Sequence, residues 1–81
     1  MSTVTRDAVS RKVIETLASF GPAIEDVQPE ATLEELDIDS LDIAELAQLV
    51  EEEYGVEISG DDAAAVTTVG HTIDLVLAKL P

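Results

Sequence analysis

Ser40 is the residue in this sequence best placed to carry covalent chemistry. The chain contains no Cys and a single His, His71. Ser40 follows Asp39 and precedes Leu41, at the point where apolar residues begin to recur at helical spacing. A serine at the start of a helix lies at the positive end of the helix dipole, near N–H groups that lack intrahelical acceptors.

Three roles are open to such a serine. It can cap the helix, which Ser and Asp commonly do. It can act as a hydrolytic nucleophile, but that needs a base and an orienting group, and His71 is the only imidazole. It can also accept a phosphodiester, which suits the free N–H groups of a helix start, although Asp39 and Asp42 would repel the phosphate. The residues alone disfavour the nucleophile and leave the other two roles open.

Hydrophobic periodicity predicts four helices that position this serine. The first covers about residues 6–20 and is ended by Gly21 and Pro22, and the second covers 40–54 and is ended by Gly55. A short third helix follows over 63–66, and a fourth extends to about residue 80. The predicted N-caps are Thr5, Asp39 and Thr68, with Asp42 in the first turn of the second helix. The predicted inward residues are Val9, Val13, Ile14 and Leu17, then Ile43, Leu46, Leu49 and Val50, and finally Ile73, Val76, Leu77 and Leu80.

The stretch between the first two helices has no helical period, yet it is rich in aliphatic residues. Ile24, Val27, Leu33, Leu36 and Ile38 recur along it. We therefore expect a long loop that is packed against the core and ordered. Residues 56–58 alternate like a strand but have no partner strand, so we expect an extended connector there.

The charge distribution is one-sided. The formal net charge is −14, and all but one of the 18 acidic residues lie between Lys12 and Lys79, where no basic residue occurs. This excludes a nucleic-acid surface, which needs clustered Lys and Arg, and it predicts basic partners. We also expect salt or magnesium to stabilise the fold. The longest apolar runs are too short to span a membrane, and no signal segment is visible, so we expect a cytoplasmic protein. We also expect it to be a monomer.

Three motifs resemble the acyl carrier protein family. They are Asp39-Ser40-Leu41 at the start of an acidic helix, Glu-Glu-Glu-Tyr-Gly-Val-Glu-Ile over 51–58, and Thr-Thr-Val-Gly over 67–70. The resemblance extends from about residue 5 to residue 80. The family often has Leu-Gly-x-Asp-Ser-Leu, whereas Asp37 stands in place of that glycine. The resemblance therefore does not predict the backbone conformation of the turn before Ser40.

The resemblance implies a fold and a function. The fold is all-α, a four-helix bundle with a short third helix and a long ordered loop between helices 1 and 2, forming one carrier domain over 1–81. Ser40 carries a covalent 4′-phosphopantetheine arm, flanked by Asp39 and Leu41, and the thiol of the arm holds acyl intermediates as thioesters. The protein is then a carrier and not an enzyme, serving a dissociated (type II) fatty acid or polyketide synthase.

The resemblance also implies partners that dock on the second helix. They are a phosphopantetheinyl transferase and ketosynthase, acyltransferase and other synthase enzymes with basic patches. The expected contact residues are Leu41, Asp42, Ala44, Glu45, Gln48, Glu51 and Glu52. These glutamates are also compatible with a merely solvated helix face. Ala44 and Gln48 replace larger apolar residues of many fatty-acid carriers, which favours a polyketide or other secondary pathway.

Two further features of the sequence bear on ligands. Ala47, Ala63, Ala64 and Ala65 lie near the expected cleft for a folded-back acyl chain, although alanines are also simply good helix formers. Asp37, Asp39 and Asp42 do not form an EF-hand loop, because the positions that need Gly and Glu hold Asp42 and Gln48. We expect no metal site, and we expect His71 to be exposed.

Two other functions remain open. A peptidyl or aminoacyl carrier more often has Gly-Gly before the modified region, where this chain has residues 37–39. An unmodified acidic interaction module would need no chemistry at Ser40. The initial Met1 and the end just after the fourth helix favour a free-standing carrier.

Overall fold

A computed structural model describes residues 5–80 and places four α-helices in that range. α1 is Arg6–Ala18, α2 is Ser40–Tyr54, α3 is Gly60–Ala65 and α4 is Val69–Lys79, with one 3₁₀ turn, Ile24–Asp26, between α1 and α2. This confirms the predicted four-helix bundle with a short third helix. Met1, on which the free-standing expectation partly rests, lies outside the described residues.

The core is aliphatic and is built from α1, α2, α4 and the two longer connections. α1 packs chiefly against α4, while α3 contributes no buried residue. The buried apolar side chains are Val9, Val13, Leu17, Val27, Leu33, Ile38, Leu46, Val50, Val56, Val69, Ile73 and Val76. Most of these belong to the segments predicted to face the core, and the buried Val56 anchors the connector between α2 and α3.

Hydrogen bonds tether the α1–α2 loop to the start of α4. Thr32 and Thr68 form an isolated antiparallel bridge. The flanking bonds run from Leu33 N to Thr67 O (3.0 Å), from Val69 N to Ala31 O (3.0 Å) and from Gly70 N to Pro29 O (2.8 Å). A Cβ at Gly70 would lie 3.0 Å from Pro29 O, so glycine permits this close approach. The long loop is therefore ordered, as predicted.

The bounds of two helices differ from the prediction. α1 ends at Ala18, two residues early, because Phe20 N and Gly21 N donate to carbonyls three residues back and the last turn tightens. α3 begins at Gly60, three residues early, because Ser59 caps it: Ser59 Oγ accepts from Asp62 N at 3.0 Å. Val66 then lies beyond the end of α3.

Two predicted inward residues are exposed. Ile24 is 53% exposed because the 3₁₀ turn that contains it places Val27, rather than Ile24, in the core. Leu49 is 42% exposed because the buried line of α2 passes through Leu46 and Val50, and Leu49 lies at its edge. Both expectations were wrong.

Candidate functional site

Two aspartates form the start of α2. Asp39 is the N-cap, and its Oδ1 accepts a hydrogen bond from Asp42 N at 3.0 Å. Asp42 Oδ2 in turn accepts from Asp39 N at 3.4 Å, which completes a capping box. The predicted cap is confirmed. Because Asp39 performs the capping, Ser40 is not needed for it.

Ser40 is the first residue of α2 and is exposed. Within residues 5–80 its hydroxyl takes part in no hydrogen bond, and the N–H groups of Ser40 and Leu41 have no protein acceptor. A phosphate on Ser40 would therefore lie near two free N–H donors at the positive end of a helix. These residues fit a phosphodiester, although Asp39 and Asp42 oppose it electrostatically.

The turn before Ser40 has the geometry of a Schellman motif. Ile38 N donates to Leu33 O (3.0 Å) and Asp37 N donates to Glu34 O (3.1 Å). Asp37 has φ +57°, the left-handed conformation that this position requires and that glycine adopts most easily. Asp37 therefore forms this left-handed turn without glycine.

Buried residues fix this turn against the core. Leu33 and Ile38 are 5% and 7% exposed and make the apolar pair that usually accompanies the motif. At the other end of the turn, Glu35 Oε1 accepts from Thr32 N and from Thr32 Oγ1, both at 2.9 Å. The hydrogen bond from Thr32 N, and to a smaller extent the one from Thr32 Oγ1, hold the pKa of Glu35 below its ordinary value. Ser40 thus follows an anchored segment.

The predicted partner residues lie along one side of α2, but two of them have contacts within the protein. Leu41 is 78% exposed, and Ala44, Glu45, Gln48 and Glu52 are also exposed. We call these five residues the exposed face of α2. Asp42 and Glu51 are half-buried: Asp42 belongs to the capping box, and Glu51 Oε2 accepts from Ile58 N at 2.8 Å. The sequence did not reveal this contact of Glu51.

The ion pairs formed by residues 5–80 lie away from Ser40. Arg6 pairs with Asp74 at 2.9 Å, Lys12 with Glu53 at 3.6 Å, and Lys79 with Asp62 at 2.8 Å. Within residues 5–80, no ion pair engages an acidic residue of the capping box or of the exposed face of α2. The negative charge around Ser40 therefore remains uncompensated.

A small cavity lies between α2, α3 and α4. Its volume is about 20 Å³, enough for about one water molecule. Ala47 and Ala63 line it, whereas Ala64 and Ala65 are exposed and do not. The cavity is too small for an acyl chain unless the helices separate.

Other candidate residues and sites take no part in this region. His71 is exposed in the first turn of α4, as predicted, and among residues 5–80 no hydrogen bond joins it to Ser40. In the same range, no group of three or more His, Cys, Asp or Glu side chains is arranged to hold a metal ion. No helix in the described part of the chain combines the length and apolar character needed to cross a membrane.

Comparisons with known proteins agree with this geometry. The family model described as "Phosphopantetheine attachment site" matches residues 11–76. A 70-residue stretch is 44% identical to the acyl carrier protein of Nitratidesulfovibrio vulgaris strain DP4, covering 85% of this chain and 90% of that one. The chain belongs to the acyl carrier protein family. The protein is therefore a carrier and not an enzyme, and its cofactor is a covalently attached 4′-phosphopantetheine.

Solved acyl carrier proteins have the same fold. The acyl carrier protein of Thermotoga maritima superposes with a TM-score of 0.78 at 29% identity, covering 91% of this chain and 88% of that one. The actinorhodin holo acyl carrier protein of Streptomyces coelicolor superposes with a TM-score of 0.73 at 30% identity, covering 99% and 95%. Residues 5–80 therefore have the fold of these acyl carrier proteins.

Proposed function

We propose that Ser40 carries the phosphopantetheine arm and that the protein delivers acyl thioesters among the separate enzymes of a type II fatty acid or polyketide synthase. The observation that carries this proposal is the exposed Ser40 hydroxyl at the start of α2, relieved of capping by Asp39. The matched family model, which spans Ser40, supports it.

The arm is acquired by a phosphoryl transfer from coenzyme A. Ser40 Oγ attacks the phosphorus that bears the pantetheine, and its proton passes to a base of the phosphopantetheinyl transferase. The Ser40 O–P bond forms, while the bond to the departing adenosine 3′,5′-bisphosphate breaks. Once attached, the arm supplies the thiol that holds the acyl group.

The chain's own residues would then orient the arm and select its partners. The anchored turn at Leu33 and Ile38 holds Ser40 in place, so the arm starts from a defined point. The exposed face of α2 offers the carboxylates of Glu45 and Glu52 on the same side of the helix as the apolar Leu41. We propose that basic patches on synthase enzymes dock there, since single-signed surfaces steer partners of opposite charge. A cytoplasmic location, a monomeric state and a single domain over 1–81 stay predictions.

The attachment is tested by intact-protein mass after incubation with coenzyme A and a broad-specificity phosphopantetheinyl transferase. Wild type should gain one phosphopantetheine, Ser40→Ala should gain none, and Ser19→Ala should gain one, because Ser19 is another exposed serine outside the site. A modified Ser40→Ala protein would refute the assignment. An unmodified, well-folded wild type would favour an acidic interaction module instead.

A further inference from the structure

An open groove lies beside the segment that leads to Ser40. It is formed where the end of α1 and the 3₁₀ turn face the Schellman turn, and its volume is about 410 Å³. The apolar part consists of Phe20, Pro22 and Leu36, all half-buried. The acidic part consists of Asp26, Glu35 and Asp37, all exposed. Gly21 completes the lining, and we call the groove formed by these residues the loop groove.

The carboxylates of the loop groove are available to an outside cation. No basic residue lines the groove, and Arg6, Lys12 and Lys79 are paired elsewhere. Within residues 5–80 the side chains of Asp26 and Asp37 take part in no hydrogen bond or ion pair. Glu35 Oε1 accepts both hydrogen bonds from Thr32, so Glu35 Oε2 remains available. The same two hydrogen bonds lower the pKa of Glu35 and so favour its ionised form.

The combination of an aromatic ring, apolar walls and carboxylates matches one side chain best. A guanidinium is planar, stacks on aromatic faces and donates forked hydrogen bonds to carboxylates. An ammonium group has no flat face to place on Phe20 and is more strongly hydrated. The groove chemistry therefore favours arginine over lysine.

The position of the groove indicates which partner supplies that arginine. Asp37 lies three residues before Ser40, so the length of the backbone keeps their Cα atoms within about 11 Å of each other. An enzyme that forms a bond to Ser40 Oγ must bring its active site to the serine itself, whereas synthase enzymes act on the thiol at the far end of the arm. Resting on the proposed attachment at Ser40, we propose that the loop groove binds an arginine side chain of the phosphopantetheinyl transferase. It is a second contact besides the exposed face of α2.

The test is the kcat/KM of arm transfer, with the carrier as varied substrate, at low ionic strength. Asp26→Asn/Asp37→Asn removes two groove carboxylates and retains the turn, because Asn also tolerates a left-handed backbone. The matched control, Glu15→Gln/Glu57→Gln, removes two exposed carboxylates outside the groove and the exposed face of α2. Circular dichroism and thermal melting check that both variants remain folded.

We expect kcat/KM to fall by about 5-fold in the groove variant, mainly through KM, and by less than about 2-fold in the control. The difference should shrink in high salt. A single charge reversal gives a second measurement: Asp26→Lys should lower kcat/KM more than Asp26→Asn does, while Glu15→Lys should not show this added loss.

The outcomes separate the two proposals. Equal losses in groove and control variants, with wild type fully loaded, would refute the groove and leave the attachment intact, because only total charge would then matter. A wild type that never gains the arm would refute the attachment, and the groove proposal with it. Loss confined to the groove variants would support the arginine contact.

Discussion

Replacing Asp37 with glycine should stabilise the protein. Asp37 has φ +57° at the C′ position of the Schellman motif, where the bonds Ile38 N to Leu33 O and Asp37 N to Glu34 O depend on that conformation. A left-handed backbone costs an ordinary L-residue about 1–2 kcal/mol, with Asp at the lower end. Glycine avoids this strain.

The gain is reduced by the greater freedom of glycine in the unfolded chain, which costs about 0.4–1 kcal/mol. The net effect is about 0.5 kcal/mol in favour of Asp37→Gly. For a domain of this size, that corresponds to a rise in Tm of about 2–4 °C. The substitution also removes one negative charge from a chain of net charge −14, so its electrostatic part needs a separate control.

Urea denaturation followed by circular dichroism measures the free energy of unfolding of each variant. Asp37→Asn removes the charge but keeps a residue that tolerates a left-handed backbone. Asp37→Ala removes the charge and introduces a residue that tolerates a left-handed backbone poorly. We expect Gly to be most stable, Asn to equal or slightly exceed wild type, and Ala to be least stable. A glycine variant no more stable than the asparagine variant would refute the strain argument.

Four further predictions concern the cap, the core and the charges. Asp39→Ala removes the acceptor for Asp42 N and should lower the free energy of unfolding by about 1 kcal/mol in urea denaturation; an unchanged value would contradict the capping role. Leu17 is 0% exposed, so Leu17→Ala should lower the free energy of unfolding by about 2–5 kcal/mol. Leu49 is partly exposed, so Leu49→Ala should lower it by less than about 1 kcal/mol. Equal losses in the two variants would contradict the assigned burial. NMR titration should find the pKa of Asp62 below its ordinary value, chiefly because Lys79 donates a hydrogen bond to it, and Lys79→Met should raise that pKa. Since the folded-state pKa is the lower one, this contact stabilises the fold above the unfolded pKa of about 4 and is lost as the pH falls through the folded value. Added salt should raise Tm by screening self-repulsion, and MgCl₂ should match NaCl at equal ionic strength; a Tm independent of ionic strength would refute this.

The features that the sequence predicted well depend on neighbouring residues. The bounds of α2 follow from Asp39, whose side chain caps it, and from Gly55, which takes φ +68° at its end. Both signals act within one turn of the helix, so no knowledge of the rest of the fold is needed. The cap of α3 was missed although Ser59 and Asp62 have the spacing of a capping box.

The features that the sequence could not supply depend on distant segments. The hydrogen bond from Ile58 N to Glu51 requires the connector to fold back along α2, and the Thr32–Thr68 bridge joins residues far apart in the chain. Thr72 was not expected inside, yet it is 4% exposed, because its hydroxyl donates to Thr68 O at 3.0 Å and needs no water. The candidate site divides in the same way: Ser40 was predicted from local residues, whereas the loop groove could be found only once the structure brought three segments together.

Because Asp39 rather than Ser40 bonds to the N–H of Asp42, the serine can be exchanged without dismantling the helix start. The sequence also contains no cysteine. Ser40→Cys would therefore create a chain with one thiol, in an exposed position and on an intact scaffold. A fluorophore, spin label or thiol-reactive acyl mimic attached there would occupy one defined point on the surface. The carrier is thus already suited to single-site conjugation, with no competing thiol to remove.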